Sequence, residues 1–83
     1  MEPKRGSDGK YHIVYKTTVN ETGKFYIGKH STRVLEDGYF GSGKLIGSFI
    51  EKYGVTGLVR EILAFCESAK DAFQKEKELV GLS

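Results

Sequence analysis

The stretch between positions 11 and 28 constrains the fold most, because it predicts two β-strands joined by a turn. Residues 11–18 (YHIVYKTT) alternate with period two and are rich in β-branched and aromatic residues, which is typical of a strand. Residues 20–23 (NETG) have turn chemistry, and residues 24–28 (KFYIG) form a second β-rich run that returns antiparallel. The sequence therefore predicts a β-hairpin.

A loop and an amphipathic helix are predicted after the hairpin. Residues 29–43 are polar, show no clear period and contain three glycines, so we predict a loop. From Leu45 to Tyr53 the apolar residues recur at helical spacing. Ser42 can cap the start of this helix, and Gly54 is placed to end it in a left-handed conformation.

The last third of the chain predicts a strand and a second helix. Residues 58–66 are apolar on both faces, which favours a central strand. Ser68, followed at the third position by Asp71, resembles a capping box and predicts a helix from about Ala69. The element order is ββαβα. We expect a small α+β domain, a three-stranded antiparallel sheet flanked by helices.

Length and composition limit the class of protein. The 83 residues are enough for one domain, at positions 11–83, and residues 1–10 are turn formers and charges that predict a flexible leader. No run approaches the roughly 18 apolar residues of a membrane span, and no secretory signal is present. The lone Cys66 allows neither an intrachain disulfide nor a multi-cysteine zinc site. We expect a cytoplasmic protein with no membrane contact.

Charge is distributed unevenly along the chain. The net charge of +2 is too small to indicate a nucleic-acid partner. Between Lys10 and Arg33, however, the chain has five basic residues and one acidic residue. Between Glu51 and Ser83 it has five basic and six acidic residues. Such asymmetry can steer a polyanion to one face of a protein. A solvated surface explains these modest numbers about as well.

Two tyrosines of the hairpin are candidates for a site. Tyr15 and Tyr26 lie eleven positions apart on the two strands. Either they only pack, as tyrosines in strands commonly do, or their hydroxyls share one face and position a water or a phosphate. A phenol with a pKa near 10 can act as a general base only if positive charge lowers that pKa. The candidates to supply this charge are Lys29, His30 and Arg33.

Glu76 is an anomaly in the last helix, because it occupies the position that completes the apolar stripe. The apolar members of that stripe are Ala69, Ala72, Phe73 and Val80. A carboxylate on a core-facing stripe is costly unless it is paired, hydrogen-bonded or bound to a metal. The alternative is that Glu76 lies at the edge of the stripe and reaches water.

The motifs of the hairpin resemble those of the GIY-YIG nuclease family. Residues 13–15 (IVY) stand where the family name has Gly-Ile-Tyr, and residues 26–28 (YIG) follow after ten residues. Residues 26–32 (YIGKHST), residues 38–44 (GYFGSGK) and the helix after them are similar to the phage-type branch of homing endonucleases. The resemblance covers roughly residues 11–80.

The resemblance implies a DNA endonuclease that hydrolyses phosphodiester bonds with one divalent metal, Mg²⁺ or Mn²⁺. Glu76, followed by Leu79 and Val80 at the family's apolar positions, matches the glutamate that holds this metal. Magnesium prefers oxygen ligands and keeps several waters, so one carboxylate and the substrate phosphate suffice. Glu78 is expected to be solvated.

The same resemblance implies roles for three residues of the hairpin. Tyr15 would be the general base or a water-positioning phenol, and Tyr26 its partner in the site. His30 follows the second motif in the phage-type pattern and is expected to share proton transfer or to contact the phosphate. His12, at the opposite strand parity from Tyr15, is expected to be structural.

The family's catalytic arginine lies on a helix after the second motif, where this chain has no helix-forming stretch. Arg33, Lys29 and Lys44 are the alternatives for its charge, and all three are expected to contact DNA. Lys44 stands at a helix start beside the amides of residues 41–43, which suits a phosphate contact.

The family pattern usually continues past Val80, and family nucleases commonly use a separate domain to read DNA sequence. We therefore expect a catalytic domain that is short at its C-terminus, acts in a phage-infected or bacterial cell, and relies on an additional DNA-binding domain or partner. Alone, it should bind DNA weakly and with strong salt dependence. One rival hypothesis is a nucleic-acid-binding module that has lost catalysis, and another is a protein-interaction domain whose tyrosines only pack.

Overall fold

The computed structural model describes residues 2–39 and 44–82. Its elements follow one another in the predicted order ββαβα. The strands are β1 (Tyr11–Val19), β2 (Phe25–Thr32) and β3 (Leu58–Cys66), and the helices are α1 (Lys44–Tyr53) and α2 (Ala69–Leu82). The predicted α+β fold with a three-stranded antiparallel sheet is therefore confirmed. Neither of the helices in the described part of the chain is long and apolar enough to cross a membrane.

The sheet has the order β2-β1-β3, so β1 is the central strand. Its residues Ile13, Val14 and Thr17 have no exposed surface, and Tyr15 is 1% exposed. The expectation that residues 58–66 form the central strand is wrong, because within the described residues β3 pairs only with β1. An apolar pattern on both faces indicates that the side chains of a strand are shielded from water. It does not indicate how many neighbouring strands hydrogen-bond to its main chain.

β2 is longer than the sequence predicts. The strand continues past Gly28 to Thr32, because residues 29–32 keep their pairing with the first part of β1. Lys29 and His30 therefore belong to the sheet and not to the following loop. Since successive residues of a strand point to opposite faces, these two side chains lie on opposite sides of the sheet.

Two predicted helix boundaries are confirmed. Gly54 has a φ of 77°, and its amide donates to the carbonyl of Ile50 at 2.7 Å, which ends α1. The hydroxyl of Ser68 accepts a hydrogen bond from the amide of Asp71 at 3.2 Å and so caps the start of α2. The predicted cap at Ser42 lies outside the described residues.

The segment predicted to be a flexible leader, residues 1–10, has defined contacts with the sheet. The Asp8 carboxylate Oδ2 lies 2.9 Å from Nε2 of His12. His12 is buried, and its other ring nitrogen lies 2.7 Å from the Ser31 hydroxyl. His12 thus connects the N-terminal segment to two strands, which is a structural arrangement.

Gly28 is the position at which the hairpin brings two tyrosines together. It pairs with Tyr15 across the strands, and Tyr26 lies two residues before it on the same face. A Cβ atom at Gly28 would lie 2.6 Å from the Tyr15 hydroxyl oxygen and 2.8 Å from Cε1 of Tyr26. Both distances are shorter than van der Waals contact. Glycine leaves the space that the two phenols occupy.

We predict that Gly28→Ala lowers the free energy of unfolding by about 1–3 kcal/mol, because an added methyl group overpacks a filled site. Gly47→Ala is a matched control, since a Cβ at Gly47 in α1 meets nothing within 4 Å and alanine is the better helix former. Urea unfolding measures both variants. Wild-type stability in Gly28→Ala would contradict the steric explanation.

Candidate active site

Three tyrosines meet around the hydroxyl of Tyr15. Tyr15 in β1 and Tyr26 in β2 lie on the same face of the sheet, with ring centroids 6.3 Å apart. Tyr39, from the segment after β2, contacts Tyr15 edge to face at 5.8 Å, and the two side chains are hydrogen-bonded. The sequence analysis left open whether Tyr15 and Tyr26 only pack or also share one face, and the register places them on one face. We call Tyr15, Tyr26 and Tyr39 the tyrosine cluster.

The tyrosine cluster keeps the Tyr15 phenol protonated. Burial, the hydrogen bond with Tyr39 and the nearby ionisable groups of Tyr39, Tyr26 and Glu76 together raise the pKa of Tyr15 well above its ordinary value of 10.0. The main causes all raise this pKa, whereas the sequence analysis required a neighbouring positive charge that lowers it for Tyr15 to act as a general base. A neutral phenol donates a hydrogen bond. The raised pKa therefore favours a positioning role for Tyr15 over that of a general base.

Glu76 lies near the tyrosine cluster. α2 packs against β1 and β2, and the Glu76 carboxylate acts electrostatically on the Tyr15 hydroxyl. The Glu76 side chain is half-buried on the inward side of α2, which it shares with Ala72 and Leu79. The predicted apolar stripe is wrong in its other members, because Ala69, Phe73 and Val80 are exposed. No described cationic side chain forms an ion pair with Glu76. Glu78, in contrast, is exposed and lies 3.7 Å from the ammonium group of Lys75.

The donor set around Glu76 suits a hard divalent cation. Among the residues that the structure describes, no three His, Cys, Asp or Glu side chains converge as a metal cage. A single carboxylate without an ion-pair partner is nevertheless compatible with Mg²⁺, which binds oxygen and keeps several of its waters. Glu76 is thus a fitting protein ligand for such an ion beside the tyrosine hydroxyls.

His30 reaches the site from the same face of β2 as Tyr26. Its ring stacks on Tyr39 with centroids 3.8 Å apart and an interplanar angle of 7°. Its Nε2 lies 2.7 Å from Oδ2 of Asp37. When Nε2–H donates to this carboxylate, the neutral ring carries its acceptor lone pair on Nδ1. His30 is therefore oriented to accept a proton at that atom.

Arg60 of β3 binds the segment that contains Asp37 and Tyr39. Its guanidinium donates to the main-chain carbonyls of Leu35 and Tyr39, the latter at 3.0 Å. The same group lies 3.5 Å from Oδ1 of Asp37. Arg60 pairs with Thr17, which puts it on the face of the sheet that bears the tyrosine cluster.

The sequence analysis did not identify Tyr39, Asp37 or Arg60. The available signal for Arg60 was the parity of β3, since Arg60 lies on the same face as the apolar residues Leu58 and Ile62 and places a charge between them. Tyr39 lies within the motif of residues 38–44, but the motif did not indicate a role for this residue, and Asp37 lies just outside it in a segment without a helix or a strand.

Lys29 does not join the tyrosine cluster. It pairs with Val14, and its exposed side chain lies on the opposite face of the sheet. Lys44 begins α1, but its side chain and residues 41–43, which were expected to help it bind phosphate, lie outside the described residues. Lys29 therefore supplies no cation beside Tyr15.

Arg33 lies at the far end of the hairpin. It lines a pocket of about 280 Å³ with Arg5 and Tyr11. Tyr11 precedes Tyr15 by four residues in β1, which corresponds to about 13 Å along a strand. Arg33 is thus remote from the Tyr15 hydroxyl.

The chain has relatives among phage proteins. The "Putative endonuclease segE" of Enterobacteria phage T4 is 49% identical over 70 residues, which are 84% of this chain and 34% of that protein. The "Endonuclease segA" of the same phage is 42% identical over 79 residues, which are 95% of this chain and 36% of that protein. This chain is similar to proteins named as phage endonucleases.

The similarity covers most of this chain but only part of each relative. The chain spans about a third of the length of these relatives. No family model and no solved structure matches it.

Hydrogen bonds within the site make Asp37 strongly acidic. Partial burial alone would raise the pKa of Asp37. Hydrogen bonds from His30, from the amide of Tyr39 and from Thr32 outweigh burial and lower the pKa to about 2, and the positive charge of the His30 ring in its protonated form adds to this effect. The ionised carboxylate is therefore the form that the folded state favours.

We predict that Asp37→Asn is less stable than the wild type near neutral pH. Because the pKa of Asp37 falls from 3.8 to about 2 on folding, its contribution is present above about pH 4 and is lost as the pH falls to about 2. The difference between the urea midpoints of the two proteins should narrow over this interval. A difference that stays constant between these pH values would contradict the assignment.

Proposed function

We propose that this chain is a metal-dependent DNA endonuclease domain of the GIY-YIG type, which hydrolyses phosphodiester bonds. The observation that carries the proposal is the meeting of Tyr15, Tyr26 and His30 on one face of the sheet, with Glu76 close to the Tyr15 hydroxyl. Similarity to T4 proteins named as endonucleases supports the activity.

Glu76 and the phosphate of the substrate would hold the divalent ion, Mg²⁺ or Mn²⁺. When bound, such an ion polarises the phosphate and lowers the pKa of a coordinated water. The half-buried Glu76 carboxylate has no described ion-pair partner to compete for it. This availability supports its role as the metal ligand.

The remaining residues would position and deprotonate the attacking water. Tyr15, whose phenol stays protonated, would donate a hydrogen bond to the water or to a phosphate oxygen. Tyr26 would be its partner in positioning these groups. The water oxygen attacks phosphorus, and the bond between phosphorus and the leaving sugar oxygen breaks. Nδ1 of His30 receives the proton from the water, since Asp37 holds the opposite nitrogen. The leaving oxygen takes a proton from solvent.

Lys29, Arg33 and Lys44 are proposed to contact DNA away from the reacting phosphate. Lys29 and Arg33 lie outside the tyrosine cluster, which suits contacts with flanking phosphates rather than stabilisation of the transition state. Phosphate contacts of this kind position a duplex and make its binding salt-dependent. Because the matched stretch is only 34% of the length of the T4 relative segE, we propose that sequence choice depends on a further DNA-binding domain or partner.

One observation favours a second candidate, a nucleic-acid-binding module with weak or no catalysis. The family's catalytic arginine has no counterpart free to meet phosphate at the tyrosine cluster among the described residues. Arg60, on the same face of the sheet, is occupied by two carbonyls and a carboxylate. A module of this kind would bind DNA at low salt without cutting it.

We predict that nicking of supercoiled plasmid requires Mg²⁺ and that Glu76→Gln lowers its rate by at least about 100-fold. Even residues outside the ligand set of metal sites have effects of about 10- to 100-fold. Glu78→Gln is the matched control, since this exposed carboxylate two positions away only pairs with Lys75. Gel separation of nicked from supercoiled DNA measures both variants. Equal rates for them would exclude Glu76 as the ligand.

We predict that Tyr15→Phe lowers the nicking rate by about 100-fold, because the phenol that orients the water is removed while the ring still fills its place. Tyr53→Phe is the control, since Tyr53 is 57% exposed on α1. Rates at several DNA concentrations separate chemistry from binding. If Tyr15→Phe cuts as fast as Tyr53→Phe, the hydroxyl has no catalytic role.

The same assays separate the two candidate functions. Metal-dependent nicking would exclude the non-catalytic module. Salt-dependent DNA binding with no nicking at any Mg²⁺ concentration would favour that module, and the variants at Tyr15 and Glu76 would then bind DNA as the wild type does.

A further inference from the structure

Residues 35–39, which we call the latch segment, contain no helix or strand but supply two side chains to the site. Asp37 holds the ring of His30, and Tyr39 stacks on that ring and bonds to Tyr15. Irregular backbone samples many conformations unless contacts restrict it, and each residue that becomes ordered loses conformational entropy. Some contact must therefore hold the latch segment in place.

Arg60 supplies three contacts to the latch segment. Its two terminal nitrogens donate to the carbonyls of Leu35 and Tyr39, at the two ends of the segment, and one of them also lies 3.5 Å from Oδ1 of Asp37. The Arg60 side chain is only 14% exposed, so water screens these interactions little. A guanidinium suits the task, because its planar fork reaches several acceptors at once whereas an ammonium group is a point charge.

The contacts continue from Arg60 to the reacting groups. Oδ1 of Asp37 accepts a hydrogen bond from the amide of Tyr39 at 3.1 Å, and the carbonyl of Tyr39 accepts one from Arg60. Both main-chain ends of Tyr39 are thus held. Oδ2 of Asp37 lies 2.7 Å from Nε2 of His30. One arginine in β3 therefore orients two side chains at the opposite edge of the sheet and in the latch segment.

We propose that Arg60 is a positioning residue, which sets Tyr39 and His30 against Tyr15 by holding the latch segment. This inference rests on the proposed function for its effect on catalysis. Arg60 does not touch the substrate, because its guanidinium is engaged with the latch segment. A displacement of about 1 Å in a catalytic group can cost about 100-fold in rate. Loss of Arg60 should therefore lower the rate of the chemical step and leave DNA affinity unchanged.

The test compares Arg60→Gln and Arg60→Lys with a matched arginine, Arg5→Gln. Arg5 also donates to a main-chain carbonyl, that of Gly9 at 2.7 Å. It borders a pocket with Leu35 and Glu36, but no hydrogen bond described for its guanidinium reaches the latch segment. Two measurements are made on each protein. The proton shifts of the His30 ring report its stacking on Tyr39, and nicking kinetics report kcat and KM separately.

In Arg60→Gln we expect the His30 ring protons to lose the upfield shift that the Tyr39 ring causes. We also expect kcat to fall by about 10- to 100-fold with KM unchanged. Arg60→Lys, which keeps the charge and loses the fork, should lie between Arg60→Gln and the wild type. Arg5→Gln should keep the shifts and both kinetic constants. Should Arg60→Gln not fold, Arg60→Lys carries the comparison.

Two results would overturn the proposal. One is a folded Arg60 variant whose His30 shifts are those of the wild type. The other is a variant that is less stable but whose folded fraction keeps the wild-type kcat, since that is the behaviour of a structural residue. If the wild type does not cut DNA, the proposed function fails, and the His30 shifts alone still decide whether Arg60 positions the two rings.

Discussion

The pairing of Tyr15 with Gly28 is the contact on which the site depends. β1 forms hydrogen bonds with β2 on one side and with β3 on the other, so two neighbouring strands restrict its position. A glycine opposite Tyr15 leaves space for that phenol and for Tyr26, and any larger residue would meet both at less than van der Waals distance. The register of the hairpin therefore sets the packing of the sheet and the arrangement of the two hydroxyls together.

The surroundings in the site shift the pKa values of two groups in opposite directions. Burial and the neighbouring Tyr39, Tyr26 and Glu76 raise the pKa of Tyr15, while hydrogen bonds to His30 and to the latch segment lower the pKa of Asp37 to about 2. One group is thus a permanent hydrogen-bond donor near neutral pH, and the other is a permanent acceptor. Such separation of pKa values is common where proton-transfer roles are divided among residues.

Sequence reasoning located β1, the turn, α1, β3 and the start of α2 because each has a local signal, such as period-two alternation or a capping serine. It ended β2 at Gly28 because residues 29–32 (KHST) are polar, although pairing with β1 continues through them. It expected β3 to be central because side-chain coverage and strand pairing leave similar patterns. It missed Tyr39 and Asp37, whose importance comes from partners that are distant along the chain.

The sequence by itself determined the element order and the placement of Tyr15 and Tyr26 on adjoining strands, since these follow from periodicity and turn chemistry. The tertiary structure alone decided that Arg60 meets residues 21 to 25 positions before it, and that Lys29 and Arg33 lie apart from the tyrosines. The reason is physical. Such contacts depend on the order and register of the sheet, which no local pattern of residues encodes.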